Sequence, residues 1–168
     1  MGIATFTRAA SVALVGIGLI ASSAFAAVTF DPATGTGFVG KGDVQQALGL
    51  NNNQLQAQAG SLQFASESTV VTERTWVCTN TNNENTQERA RETTTTIQGV
   101  LSAIARERNQ ITGFNLTGYS GSPTESSSTD GPPVNSCPSG PWTLTTPAGD
   151  PEVVSSSSVL TVNGVALQ

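Results

Sequence analysis

TVVTERTWVCT, Thr69 to Thr79, is followed across an asparagine-rich break by QERARETTTTIQGVLSAIA, Gln87 to Ala105. Both stretches are dense in Thr, Val and Ile, whose branched Cβ suits a pleated, half-buried surface and crowds a helix. In the first, Trp76 and Cys78 fall on one face of a strand. Asn80 to Thr86 reads as a turn, so the two stretches predict a hairpin. Gln98 to Arg108 is ambiguous, because Val100, Leu101, Ile104 and Ala105 also satisfy a helical period. Four consecutive β-branched residues, Thr93 to Thr96, make a poor helix start and turn the reading toward strand.

Working outward, Leu62 and Phe64 alternate, Ile111 to Tyr119 is a further strand, and Trp142 to Thr145 and Val159 to Leu167 are short closing strands. Asn163-Gly164 is a type I′ turn signal within the last of these. Toward the start, Val28 to Phe30 is extended and a glycine-rich loop follows. Asp43 is then the expected N-cap of a short helix, with Gln46 in the reciprocal position and Gly49 as its stop. Gln54 to Ala59 adds a second helical turn. Ser120 to Pro141, with its Ser, Gly and five prolines, reads as a long loop. The expected fold class is mainly β: an antiparallel twisted sheet or small sandwich with a short N-terminal helix and one disulfide. Thr93 to Thr96 is the strand expected at an exposed edge, through which copies could self-assemble.

Residues 1–26 have the form of a secretory signal peptide: Arg8, an apolar run from Ala9 to Ile20, and the small-x-small site Ala24-Phe25-Ala26. Residues 27–168 then make a single secreted β-rich domain, with residues 120–141 as its Ser/Pro/Gly-rich loop. Its apolar content is low, and neutral Thr, Ser and Asn replace it. Twelve acidic residues face six basic ones, a balance that argues against nucleic acid and against electrostatic docking on anionic lipid. No second stretch is apolar enough for a membrane span, so the expected location is extracellular. Cys78 and Cys137 are the only cysteines, and in an oxidising compartment they predict one disulfide, tying the loop to the Trp76–Cys78 strand.

The chain has no histidine and a single lysine, Lys41, which removes the usual acid–base and Ser–Lys chemistry. Gly35 to Gly42 fits GxGxxG and the first part of a P-loop, but Gly42 stands where the P-loop needs Ser or Thr. It therefore reads as a conformationally demanding turn. Glu88, Arg89, Arg91 and Glu92 alternate along a strand and suggest cross-strand ion pairs with Glu73 and Arg74. Trp76, two residues from a cysteine, is expected in the core; Trp142 and Tyr119 are the candidate ligand contacts. No catalytic residue, metal site or cofactor is implied. The leading expectation is a non-enzymatic extracellular protein that binds a cell-envelope glycan or another surface protein. The alternative is a secreted glycosidase-like hydrolase using a carboxylate pair.

Gly37-Phe-Val-Gly-Lys-Gly-Asp-Val-Gln45 with Ala47-Leu48-Gly49, Trp76-x-Cys78, Asn109 to Tyr119 (NQITGFNLTGY) and Val162-Asn-Gly-Val165 are similar to motifs of a group of small secreted proteins of actinobacteria, uncharacterised in role. The resemblance spans most of the chain after the signal. It implies secretion, one domain and one disulfide, and it carries no active site.

Overall fold

The computed structural model describes residues 28–168, so the signal peptide expected over residues 1–26 lies outside the described residues. Strands β1 (Thr29–Asp31) and β2 (Thr36–Gly40) lead into helices α1 (Lys41–Leu48) and α2 (Asn52–Gln58) and a 3-10 turn (Ala59–Ser61). Three long strands follow, β3 (Phe64–Thr79), β4 (Asn85–Glu107) and β5 (Gln110–Asp130). Short β6 (Thr143–Thr146), then β7 (Glu152–Val162) and β8 (Val165–Ala166), close the chain. All eight strands form one antiparallel sheet in the order β1-β2-β5-β4-β3-β7-β8, with β6 also paired to β3. The mainly β fold with one disulfide is as expected.

The β3–β4 hairpin sets the frame. It pairs without a register shift from Phe64↔Val100 to Thr79↔Asn85, so Gln98 to Glu107 are strand, not helix. Its turn is held by Asn80, whose Oδ1 accepts from the amides of Asn82 and Glu84, both at 2.9 Å, while Asn83 takes φ 62. The second hairpin turn expected at Asn163-Gly164 is also present, with φ 48 and 78 between β7 and β8.

Four expectations are corrected. Thr93–Thr96 lie at no edge: they pair with Val71–Ser68 on one side and Ser128–Glu125 on the other. Strand order is set by non-local pairing, which the local β signal does not contain. Ser120–Asp130 are not loop but the far half of β5, paired to Arg91–Gly99. A ladder partner overrides the local turn preference of serine, and Gly121–Pro123, three residues against Gln98 alone, form a bulge that absorbs the two surplus ones. Gly35 does make a turn, at φ 70, but Thr36–Gly40 form a strand between β1 and β5. There glycine allows close approach, since a Cβ on Gly37 would lie 2.0 Å from the Thr29 carbonyl oxygen. Finally, α1 starts earlier than expected. Gly40 is its N-cap, and Asp43 sits in the first turn, accepting from the Gly40 amide at 3.2 Å. Gly49 ends it in the left-handed region at φ 64, and Asn51 and Gln54 cap α2 reciprocally.

Two separate cores sit on this one sheet. The larger gathers Val44 and Leu55 of the helices with Phe64, Val100, Phe114, Leu160 and Val162. The smaller gathers Trp76, Cys78 and Ala90 with half-buried Cys137, Trp142 and Ala148. In β3 the residues Phe64, Trp76 and Cys78 are all even-numbered, and so are Val100 and Ala90 of β4. With period two and no register shift, both cores therefore lie on the same face.

Candidate functional site: a hydroxyl-lined trough between the cores

Between the two cores the same face continues as an uncovered floor. Across the four central strands its rungs read Ser158–Ser68–Thr96–Glu125, Ser156–Val70–Thr94–Ser127 and Val153–Thr72–Glu92–Thr129. These side chains are half-buried in β3 and in the Thr94–Thr96 part of β4, and exposed in the two outer strands. The floor lies between Ser66, already buried by the larger core, and Arg74, beside the smaller one. At a rise of ~3.3 Å per residue it is roughly 26 Å long and, with strands ~4.8 Å apart, about 14 Å across. The caps close it along the strands; it is open toward β5 and β7.

The wall at the smaller core is the segment of residues 131–142. Cys78–Cys137 joins it to β3, and the Trp76 indole Nε1 donates to the Ser136 carbonyl oxygen at 2.8 Å. The disulfide was expected from the two cysteines; the Trp76 hydrogen bond to Ser136 was not. A hollow of about 250 Å³ lies at the foot of this wall, lined by Thr72, Arg74, Ala90, Glu92, Thr129 and Val134. Neutral hydroxyls dominate the floor. Each can both donate and accept a hydrogen bond, so the surface suits a partner that itself carries many hydroxyls or amides.

The two candidate ligand contacts are not brought together. Tyr119 stands on the Val100 rung at the larger core, half-buried, and its hydroxyl donates to the Pro32 carbonyl oxygen. Trp142 is half-buried against the smaller core. They occupy opposite ends of the trough, each engaged in packing, and Trp76 is buried in the core as expected. The floor residues themselves were missed. The available signal was parity: in β3 the even positions run from Phe64 through Ser66, Ser68, Val70, Thr72 and Arg74 to Trp76 and Cys78, with large apolar residues at both ends and three hydroxyls among the five residues between.

The carboxylates divide between the faces. Glu92 and Glu125 share the trough, but Glu125 lies opposite Thr96, four positions along β4 from Glu92, or about 13 Å of strand. On the opposite face one rung reads Glu152–Glu73–Arg91–Asp130. Glu73 Oε2 accepts from Arg91 Nε at 2.7 Å, and its other oxygen lies 3.8 Å from Arg89. That hydrogen bond, with the charge of Glu73 behind it, raises the Arg91 guanidinium above its ordinary value. The expected cross-strand ion pairs thus form with Glu73. Among the described residues no His, Cys, Asp or Glu cluster could hold a metal ion, and no helix is long and apolar enough to cross a membrane. No family model matches this chain, and neither does any curated protein or solved structure.

Proposed function

We propose that the protein is an exported, non-enzymatic module that binds a neutral, hydroxyl-bearing envelope polymer, a glycan strand, across the trough. The observation that carries this reading is the rung pattern of the floor, where Ser and Thr from four strands form a grid of donors and acceptors between two caps. An occupant lies across the strands, since the caps block the strand direction. Export is supported by the signal-like residues 1–26 and by the Cys78–Cys137 disulfide, which persists in oxidising compartments. No rung of the trough sets two carboxylates opposite each other, since Glu92 faces Thr129 and Glu125 faces Thr96, and this does not favour the hydrolase alternative, which needs a carboxylate pair.

The test is co-sedimentation of the purified, oxidised protein with insoluble bacterial cell-wall glycan. Retention is expected and is expected to survive high salt, because the floor is mostly uncharged. Thr94→Arg together with Thr72→Arg fills the floor with bulk and charge and should abolish retention; Thr95→Arg, on the other face, should not. Failure of the wild-type protein to sediment, or equal retention of the Thr94→Arg/Thr72→Arg variant, overturns the reading.

A further inference from the structure

At the wall beside the smaller core the trough changes character. The hollow of about 250 Å³ there brings two charged side chains, Arg74 and Glu92, together with apolar Ala90 and Val134 and the hydroxyls of Thr72 and Thr129. Arg74 stands opposite Ala90 and Glu92 opposite Thr72, so the two charges are diagonal neighbours on one face of the β3–β4 ladder. Glu88, opposite Trp76, is the other carboxylate diagonal to Arg74. Arg74 pairs with neither: among the described residues the ion pairs are those that Glu73 makes on the opposite face with Arg89 and Arg91. Arg74 and Glu92 are exposed, Ala90 is buried, and Val134 is 41% exposed.

We infer that this hollow is the subsite that selects the sugar, and that it takes the acetamido group of an N-acetylated amino sugar in a neutral glycan. The inference rests on the glycan reading of the trough and names the sugar class that the trough prefers. A guanidinium only donates hydrogen bonds and a carboxylate only accepts them. A neutral occupant must therefore bring an acceptor to Arg74 and a donor to Glu92. A secondary amide has one of each, and in its trans form they point in opposite directions. Between two hydrogen bonds of ~2.9 Å, such an amide spans roughly 8 Å from partner to partner. Diagonal side chains on an antiparallel ladder are rooted ~7–8 Å apart, so Arg74 and Glu92 are spaced for an amide between them. Sugar hydroxyls alone would satisfy the same two charges but leave Ala90 and Val134 without an apolar partner, which the acetyl methyl supplies. Thr72 and Thr129 remain for ring hydroxyls, since each can donate and accept. An ionic substituent is disfavoured either way: a carboxylate would meet Glu92, and an ammonium would meet Arg74.

Chitin and cellulose are insoluble polymers with the same linkage, and they differ in carrying an acetamido group or a hydroxyl at the second ring carbon. Co-sedimentation of the purified, oxidised protein with each tests the inference. Wild type is expected to bind chitin at least tenfold more tightly than cellulose. Arg74→Met keeps the alkyl stem and removes the donor, and Glu92→Leu removes the acceptor. Each should bring the affinity for chitin down to that for cellulose and leave cellulose binding as in wild type. Glu92→Gln retains a carbonyl oxygen at the same place and should keep most of the preference. Both side chains are exposed, and far-UV circular dichroism checks that the variants fold. Equal binding of wild type to both polymers, or an undiminished preference in the Arg74→Met and Glu92→Leu variants, overturns the inference while the glycan reading stands. Failure to bind chitin also overturns it, and sedimentation with bacterial cell-wall glycan then decides whether the glycan reading falls with it.

Discussion

The indole Nε1 of Trp76 donates to the carbonyl oxygen of Ser136 at 2.8 Å, one residue before the cysteine that returns the same segment to Cys78. The smaller core thus has a hydrogen bond and a covalent link side by side, on a base of little more than Trp76, Cys78 and Ala90. Trp76→Phe keeps an aromatic ring in place but removes the donor, leaving the Ser136 carbonyl without its partner. A loss of ~1–3 kcal/mol is expected. Chemical denaturation checks it: the midpoint should fall while the slope stays near wild type.

Removing the disulfide acts chiefly on the unfolded chain. Cys78 and Cys137 are 59 residues apart in sequence, for which the chain-entropy estimate is about 4 kcal/mol. The Cys78→Ala/Cys137→Ala protein should lose stability of that order. Its hydrogen exchange should rise first over residues 131–142, with Val44, Leu55 and Phe114 in the larger core still protected. Uniform loosening of both cores would instead show that they unfold as one unit.

What the sequence revealed and what it concealed follow from the range of the forces involved. The β3–β4 hairpin was legible because Thr, Val and Ile runs flank Asn80, a residue that makes its own turn hydrogen bonds. The far half of β5 was not, since Ser126 to Ser128 have turn preferences that only pairing with Thr93–Thr95 overrides. Thr93–Thr96 were read correctly as strand but misplaced at an edge, because neighbours in a sheet come from distant sequence. The trough required both pieces of knowledge. Phe64 and Trp76 share a parity that is plain in the sequence, yet it has meaning only once β3 is known to run unbroken between them.

Asp31 gives the acid side of the stability profile a defined contribution. Its carboxylate accepts from the Thr34 hydroxyl at 2.7 Å and from the Ala33 amide at 3.0 Å, and these bonds, the hydroxyl foremost, hold its pKa below the ordinary 3.8. A depressed folded-state pKa stabilises at pH values above the unfolded value, and that stabilisation is lost as pH falls from there through the folded value. Thermal unfolding of wild type should therefore weaken as pH drops below about 3.8, and Asp31→Asn should flatten that part of the profile. Identical acid limbs for the two proteins would remove Asp31 from the account.

Asn163 joins the β7–β8 turn to the start of β3. Its amide donates to the Gln63 carbonyl oxygen at 2.7 Å, and its side-chain Oδ1 accepts from the Gln63 amide at 2.9 Å, while its backbone sits at φ 48. Three substitutions separate these contributions. Asn163→Gly keeps the backbone conformation and loses only the side-chain acceptor, at a cost of about 1 kcal/mol. Asn163→Ala loses the acceptor and keeps a Cβ in the left-handed region without the side-chain bond that offsets it, so it should cost ~1–2 kcal/mol more than the glycine variant. Asn163→Asp retains an acceptor for Gln63 and should remain closest to wild type. Denaturation midpoints that rank Asp above Gly above Ala support the clamp; equal losses in the alanine and glycine variants would mean that the turn conformation contributes nothing and the hydrogen bond everything.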